Sequence, residues 1–168
     1  SLKLPSLQSG YQPVGQVPLG WFNAGDTVTM TAYFLGDSDQ VAGKIQLDGY
    51  TGSQWSGYTA TYSSATVYSN GDWQKLVVTV TLNQGMWLQA WIMGDQGSYK
   101  PTGKAGYYDN VVVKSTGRGL VLDERFETTP WGRGTLDQSM PAVRPVDAAD
   151  METMLVANAN RDQVTRYV

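Results

Sequence analysis

The chain has 168 residues, a formal net charge of −3, and neither cysteine nor histidine. Without these residues it lacks disulfides, thiolate metal sites, the commonest general base and the commonest zinc ligand. Its lysine and arginine residues are scattered singly, which disfavours nucleic acid as a partner, and no apolar run approaches the ~20 residues of a membrane span.

The first clear elements are two alternating strands, one in residues 24–34 (AGDTVTMTAYF) and one in residues 71–82 (GDWQKLVVTVTL). Each follows a Gly-Asp turn, and an apolar period of two with a polar opposite face is typical of a half-buried antiparallel strand. Many short strands separated by glycine-rich turns favour an all-β fold. We therefore predict an antiparallel two-sheet sandwich, with a core formed by Val28, Met30, Ala32, Phe34, Leu76, Val78, Val80, Leu82, Leu88, Ile92, Val111 and Val113.

Between these two strands lies a glycine- and serine-rich stretch that contains Tyr50, Trp55 and Tyr58 (GYTGSQWSGYTATYSS). Recognition loops often combine rigid aromatic side chains, which supply contact area, with small polar residues that adapt to a ligand. The stretch is therefore a candidate binding surface. The alternative is a strand and loop edge capped by tyrosines.

A third strand at residues 86–93 (MWLQAWIM) places Trp87, Gln89 and Trp91 on one face and Leu88, Ala90 and Ile92 on the other. An indole face suits the apolar C–H face of a sugar ring, and an amide can bond hydroxyl groups. We expect Trp87 and Trp91 to form a sugar-binding platform, with Gln89 between them. The alternative is that both tryptophans pack beneath a loop or against the C-terminal segment.

The two alternating strands are followed by GYYDNVVVK at residues 106–114. This order of turns and strands resembles the family 4/9 carbohydrate-binding modules, which are galactose-binding-like jelly-roll sandwiches, over residues 1–114. The resemblance implies a jelly roll that binds a polysaccharide or cell-surface glycan and performs no chemistry.

The same resemblance implies a structural Ca²⁺ at Asp109, the aspartate that follows the paired aromatic residues. The family's acidic first-strand segment has its counterpart only at residues 125–128 (RFET), so Glu127 would be the second ligand, supplied in permuted order. Oxygen ligands from distant positions in the chain suit calcium. The alternative for Asp109 is a strand-end carboxylate bonded to backbone N–H groups.

Composition changes abruptly near residue 115. Residues 1–114 hold six lysines, no arginine and no glutamate, whereas residues 115–168 hold six arginines, no lysine and all three glutamates. We predict a sandwich over residues 1–114 and a C-terminal arm, or the start of a following domain, over residues 115–168. This extension should carry one strand at about residues 120–126 and one helix from about 147 to 164, and it should contact its own sandwich, a neighbouring subunit or a following domain.

Catalysis is disfavoured, because no predicted strand carries two acidic residues in alternation and a Ser-His-Asp set requires histidine. The first functional hypothesis is a non-catalytic glycan-binding module that is accessory to a secreted enzyme. The second is a structural or interaction protein, such as a phage virion decoration or tail component, with the arm mediating assembly. The expected location is accordingly extracellular or on a virion surface. The aromatic residues favour the first hypothesis, and the arginine-rich, proline-punctuated arm favours the second.

Overall fold

The computed structural model describes residues 1–5, 14–52, 55–93, 103–127, 131 and 135–140. Within these ranges all regular secondary structure is β-strand, and no helix in them could span a membrane. The helix predicted near residues 147–164 lies outside the described residues. The strands are β1 (Leu2–Pro5), β2 (Val14–Phe22), β3 (Thr27–Gly36), β4 (Ala42–Tyr50), β5 (Tyr58–Ser63), β6 (Val67–Tyr68), β7 (Gln74–Thr81), β8 (Met86–Met93), β9 (Ala105–Ser115), β10 (Gly119–Glu124) and β11 (Thr135–Leu136).

The strands form two sheets in which neighbours run antiparallel. Sheet A has the order β11-β1-β9-β3-β7, and its long strand β9 pairs with β1 along one half and with β10 along the other. Sheet B has the order β2-β8-β4-β5, with the short β6 also paired to β4. The predicted all-β architecture of two antiparallel sheets is confirmed.

One continuous core lies between the sheets. Eleven of the twelve predicted core residues are buried, and the twelfth, Val80, is partly buried against the core. Alternation explains this result, because β3, β7 and β8 each turn every second side chain towards the opposite sheet. The strands without a clear sequence signal contribute Phe22, Ile45 and Leu47.

A buried tyrosine links the two sheets through polar groups. Tyr108 of β9 is fully buried, and its hydroxyl accepts a hydrogen bond from the Lys44 N–H at 2.9 Å and donates to the Met93 carbonyl. Burial raises the pKa of Tyr108 far above its ordinary value. The phenol therefore stays neutral and satisfies backbone groups of β4 and β8 from the opposite layer.

The described residues after Ser115 extend the sandwich. The strand predicted at residues 120–126 is found as β10, which pairs with β9, and β11 pairs with β1. Phe126 and Trp131 are buried in the common core with their ring centroids 5.1 Å apart. The first part of the predicted arm thus shares the core of the sandwich, whereas residues 141–168 lie outside the described residues.

Candidate functional site

The outer face of sheet B, which points away from the core, carries the largest group of predicted binding residues. On β8 the alternation predicted from sequence is observed, since Leu88, Ala90 and Ile92 are buried in the core. Trp87 and Trp91 lie on the opposite face, and both are half-buried. Neither ring is enclosed by protein on all sides, so this face is open to a ligand.

Strand register assembles an aromatic row across this face. Trp87 of β8 lies opposite Trp21 of β2 on one side and opposite Tyr50 of β4 on the other, and Tyr50 lies opposite Tyr58 of β5. Directly opposed residues of antiparallel strands project to the same face. Trp21, Trp87, Tyr50 and Tyr58 therefore form one line, the aromatic row, which crosses four strands and spans roughly 14 Å at ~4.8 Å per strand.

Two pairs of rings within the aromatic row are in edge-to-face contact. Trp21 and Trp87 have centroids 5.9 Å apart at 74°, and Tyr50 and Tyr58 have centroids 5.9 Å apart at 70°. Such contacts hold the rings in defined orientations and stabilise them beyond area burial. The two outermost members are the most accessible, with 43% of Trp21 and 62% of Tyr58 exposed. The row is a preorganised apolar surface rather than one flat platform.

A β-bulge in β2 brings Trp21 into the row. Pro18 lies opposite Gln89 but Gly20 lies opposite Leu88, so Leu19 is one residue extra and the alternation of β2 changes phase. Leu19 packs into the core, and Gly20 takes a φ of 93° that glycine tolerates without strain. Bulges of this kind re-aim the side chains that follow them. Here the bulge directs Trp21 outward.

Arg118 bonds the backbone around this bulge. It lies in the turn between β9 and β10, and its Nη1 donates to the Leu19 carbonyl at 2.9 Å and to the Trp21 carbonyl at 3.3 Å. Its guanidinium group also lies over the Phe22 ring, 4.7 Å from the centroid. A bulge disrupts ladder hydrogen bonds locally, and Arg118 donates hydrogen bonds to the carbonyl of the extra residue, Leu19, and to that of Trp21, which follows the bulge.

A closed loop places Trp55 beside the row. The N–H of Thr51 bonds the Gly57 carbonyl at 3.0 Å, and the N–H of Gly52 bonds the Ser56 carbonyl at 3.2 Å. Trp55 has a φ of 66°, which is uncommon for a bulky residue and is tolerated only when the surroundings enforce it. Its ring stands at 87° to Tyr50, with centroids 5.4 Å apart. Trp55 thus enlarges the apolar surface at the β4–β5 end of the row.

A polar row lies beside the aromatic row, two residues away along β8 and β4 and three residues away along β5, where the register with β4 shifts. It consists of Gln89 of β8, Asp48 of β4 and Thr61 of β5, which are cross-strand neighbours. Asp48 Oδ1 accepts hydrogen bonds from Gln46 Nε2 at 3.1 Å and from Thr61 Oγ1 at 2.5 Å. Because Thr61 donates its proton to Asp48, the Tyr58 hydroxyl is the donor in its 2.7 Å bond with Thr61. The network therefore connects the two rows.

Burial affects the ionisation of both rows. Only 7% of Asp48 is exposed, and desolvation raises the pKa of its carboxyl group, although the bonds from Thr61 and Gln46 and the charge of Lys44 oppose this rise. The pKa of Tyr50 is also raised, first by burial and then by the negative charge of Asp48. Tyr50 therefore acts as a neutral apolar and hydrogen-bonding group at ordinary pH.

Trp91 belongs to a third row, beyond the polar row. It is four residues from Trp87, so their Cα atoms lie about 13 Å apart along the strand, and Gln89 separates them. The expected platform of Trp87 and Trp91 is therefore divided between two rows, and Trp87 makes its aromatic contact with Trp21 instead. Trp91 Nε1 is enclosed and has no hydrogen-bond partner among the residues that the structure describes.

The predicted calcium ligands, Asp109 on β9 of sheet A and Glu127 just after β10, lie close enough for their charges to interact. Asp109 of β9 accepts a hydrogen bond from the Asn110 N–H at 2.8 Å, and its Oδ2 lies 3.6 Å from the Ser1 ammonium group. Burial raises the pKa of Asp109, and the negative charge of Glu127 adds to this rise. Calcium takes about 6–8 oxygen ligands, and the described ranges hold no group of three or more acidic side chains around a common point. Calcium binding by Asp109 and Glu127 stays a prediction.

The sequence predicted most residues of the outer face, but as two separate surfaces. Tyr50, Trp55 and Tyr58 were expected as one surface and the β8 tryptophans as another, whereas strand register joins both sets. Trp21 and Asp48 were not predicted. The signal for Trp21 is the Leu-Gly-Trp-Phe sequence, where two core residues flank a glycine and an aromatic residue. The signal for Asp48 is an acidic residue at a polar position of an alternating strand.

No family model matches this chain, and no curated protein matches it.

Proposed function

We propose that this chain is a non-catalytic carbohydrate-binding module with jelly-roll connectivity, and that it binds a glycan on the outer face of sheet B. The proposal is carried by the aromatic row, in which four rings from four strands form one accessible line with the polar row directly beside it. Sugar rings have apolar C–H faces and polar edges, so a surface with adjacent aromatic and polar strips suits them.

The row favours an extended glycan that runs across the strands. Trp21 and Tyr58 lie at opposite ends of the row, and both are substantially exposed. A chain of several sugar rings along this line can contact Trp87 and Tyr50 in the middle while its hydroxyl groups reach Gln89, Asp48 and Thr61. Because the aromatic contacts already orient the rings, little ordering is required on binding, which favours affinity.

The experiment is a binding screen on the full chain, with insoluble polysaccharides for pull-down and soluble ones for affinity electrophoresis. Trp87→Ala and Tyr58→Ala should each weaken binding by about 1–3 kcal/mol, the scale of a lost aromatic anchor. Tyr68→Ala is the matched control, since Tyr68 is 55% exposed but lies on β6, outside the row. Far-UV circular dichroism should be the same for all variants except for the contribution of the tryptophan pair.

Two outcomes would contradict the proposal. One is that the chain binds no polysaccharide, and the other is that Tyr68→Ala weakens binding as much as Tyr58→Ala. Light scattering on the full chain should accompany the binding screen, because an aromatic face can also contact protein. A molecular mass that rises with protein concentration and is lower in Tyr58→Ala, in the absence of any glycan binding, would favour the structural or interaction hypothesis.

A further inference from the structure

A buried carboxylate at the centre of a proposed glycan-binding face calls for a chemical role. Asp48 lies on β4, an inner strand of sheet B, between Gln89 of β8 and Thr61 of β5. It points to the outer face, because Leu47 and Gly49 on either side of it are turned to the core, where Leu47 is fully buried. Burying a carboxylate costs free energy unless hydrogen bonds compensate it.

The hydrogen bonds of Asp48 are distributed unevenly between its two oxygens. Gln46 Nε2 and Thr61 Oγ1 both donate to Oδ1, and no described residue donates to Oδ2. Oδ2 is not fully enclosed by protein, so solvent or a ligand can reach it. An ionised carboxylate oxygen only accepts hydrogen bonds. The partner that Oδ2 lacks must therefore be a donor.

The groups around Asp48 also favour a hydrogen-bond donor without negative charge as the partner of Oδ2. Gln89, the cross-strand neighbour of Asp48, is only 8% exposed and makes no hydrogen bond to another described residue, so its amide is free to bond a ligand that reaches Oδ2. The nearest cation on the strand is Lys44, four residues away, and it forms no ion pair with Asp48 in the described part of the chain. A negative group that approaches Oδ2 would therefore meet a negative charge that no ion pair with a described residue neutralises.

We propose that Asp48 makes the face selective for uncharged, hydroxyl-bearing sugars over sugars that carry carboxylate groups. Adjacent hydroxyl groups of a neutral sugar donate to Oδ2 and bond the Gln89 amide. A uronic acid at the same position brings a like charge close to Oδ2 in a partly desolvated site, where repulsion is stronger than in water. This inference rests on the proposed glycan binding, and it adds the class of sugar.

The test uses pairs of polymers that differ only in charge. Polygalacturonate, alginate and glucuronoxylan are each compared with the product obtained by reducing their carboxyl groups, which leaves a neutral chain of the same linkage. The wild-type chain should bind the reduced member of at least one pair about tenfold or more tightly than its acidic parent. In Asp48→Asn this ratio should fall about tenfold, because the amide keeps the size of the side chain and removes its charge.

Asp72→Asn is the control, since it removes the same charge from an exposed turn outside sheet B. It should leave the wild-type ratio unchanged, which separates the local effect of Asp48 from the net charge of the protein. Added salt should also lower the wild-type ratio, because ions screen charge repulsion, and this measurement needs no variant.

An equal ratio in wild type and Asp48→Asn, or a wild-type preference for the acidic member, would overturn the inference while leaving glycan binding intact. If the wild-type chain binds neither member of any pair, nor any polymer of the binding screen, the proposed function fails and the inference fails with it. The two failures differ because the first shows binding with the wrong selectivity and the second shows no binding.

Discussion

Gly85 provides a way to displace one ring of the aromatic row without deleting it. A Cβ atom at this position would lie 2.5 Å from Cζ2 of Trp21 and 3.2 Å from its Cη2. Ordinary van der Waals contact begins near 3.4 Å, so the indole ring must retreat by roughly 1 Å in Gly85→Ala. Gly85 does not have a positive φ, so alanine introduces a steric effect and no backbone strain.

The displaced ring can move, because Trp21 is 43% exposed and lies on the edge strand β2. We therefore expect Gly85→Ala to cost about 1–3 kcal/mol of stability at most, the usual range for overpacking. The edge-to-face contact with Trp87 should weaken, and glycan affinity should fall about tenfold, which corresponds to ~1.4 kcal/mol.

Two measurements check this prediction. Coupled indole rings give an exciton couplet in far-UV circular dichroism, and the couplet of Trp21 and Trp87 should shrink in Gly85→Ala whether or not a glycan is bound. Isothermal titration with a polysaccharide identified in the screen gives the affinity. Gln84→Ala, at the exposed neighbouring position, is the control. An unchanged couplet together with unchanged affinity would refute the role assigned to the Trp21 orientation.

Three further predictions concern stability. Phe126→Ala should lower the free energy of unfolding by about 3–5 kcal/mol, because the ring is fully buried against Trp131, whereas Leu120→Ala, on the exposed part of β10, should change it by less than about 0.5 kcal/mol. Equal effects in denaturant titrations would mean that the segment after Ser115 does not share the core. Burial raises the pKa of Asp48 above 3.8 in the folded state, so its ionisation opposes folding at neutral pH. Asp48→Asn should therefore raise the melting temperature at pH 7, and this advantage should disappear as the pH falls through the raised pKa towards 3.8. A constant difference at all pH values would contradict this. If Asp109 and Glu127 bind calcium, a chelator should lower the melting temperature of the wild type and have no effect on Asp109→Asn, whereas identical wild-type curves with and without chelator leave Asp109 as a strand carboxylate bonded to the backbone.

Local alternation was enough to predict the core but not the assembly of the site. Val28, Met30 and Phe34 recur at every second position of one strand, so their common face can be read from the sequence. The aromatic row depends instead on register between four strands, because Trp87 meets Tyr50 only through the pairing of β8 with β4. Register is set by turns and by the complete core, and single-strand patterns do not contain it.

The outward orientation of Trp21 is a second feature that alternation along one strand does not predict. Strict alternation along β2 from the outward Pro18 would send Gly20 outward and Trp21 inward, which is the reverse of what is observed. The phase change depends on a bulge whose bonding partner, Arg118, is nearly a hundred positions away in sequence. Phe126 and Trp131 were hard to assign for a related reason, since they join a core formed mainly by residues 2–113.

The single additional residue in β2 also determines how this surface can diversify. Deleting Leu19 would remove the bulge but leave Pro18 opposite Gln89 and Gly20 opposite Leu88, so Trp21 would still face outward. The core would lose one leucine side chain, and Arg118 would lose the Leu19 carbonyl as a hydrogen-bond acceptor. Since β2 is at the edge of its sheet, such a change would disturb one ladder only. A one-codon deletion in β2 can therefore change the support of the outward ring while the ring stays in the aromatic row, so relatives of this chain can differ in the rigidity of this surface through the length of β2 as well as through substitution.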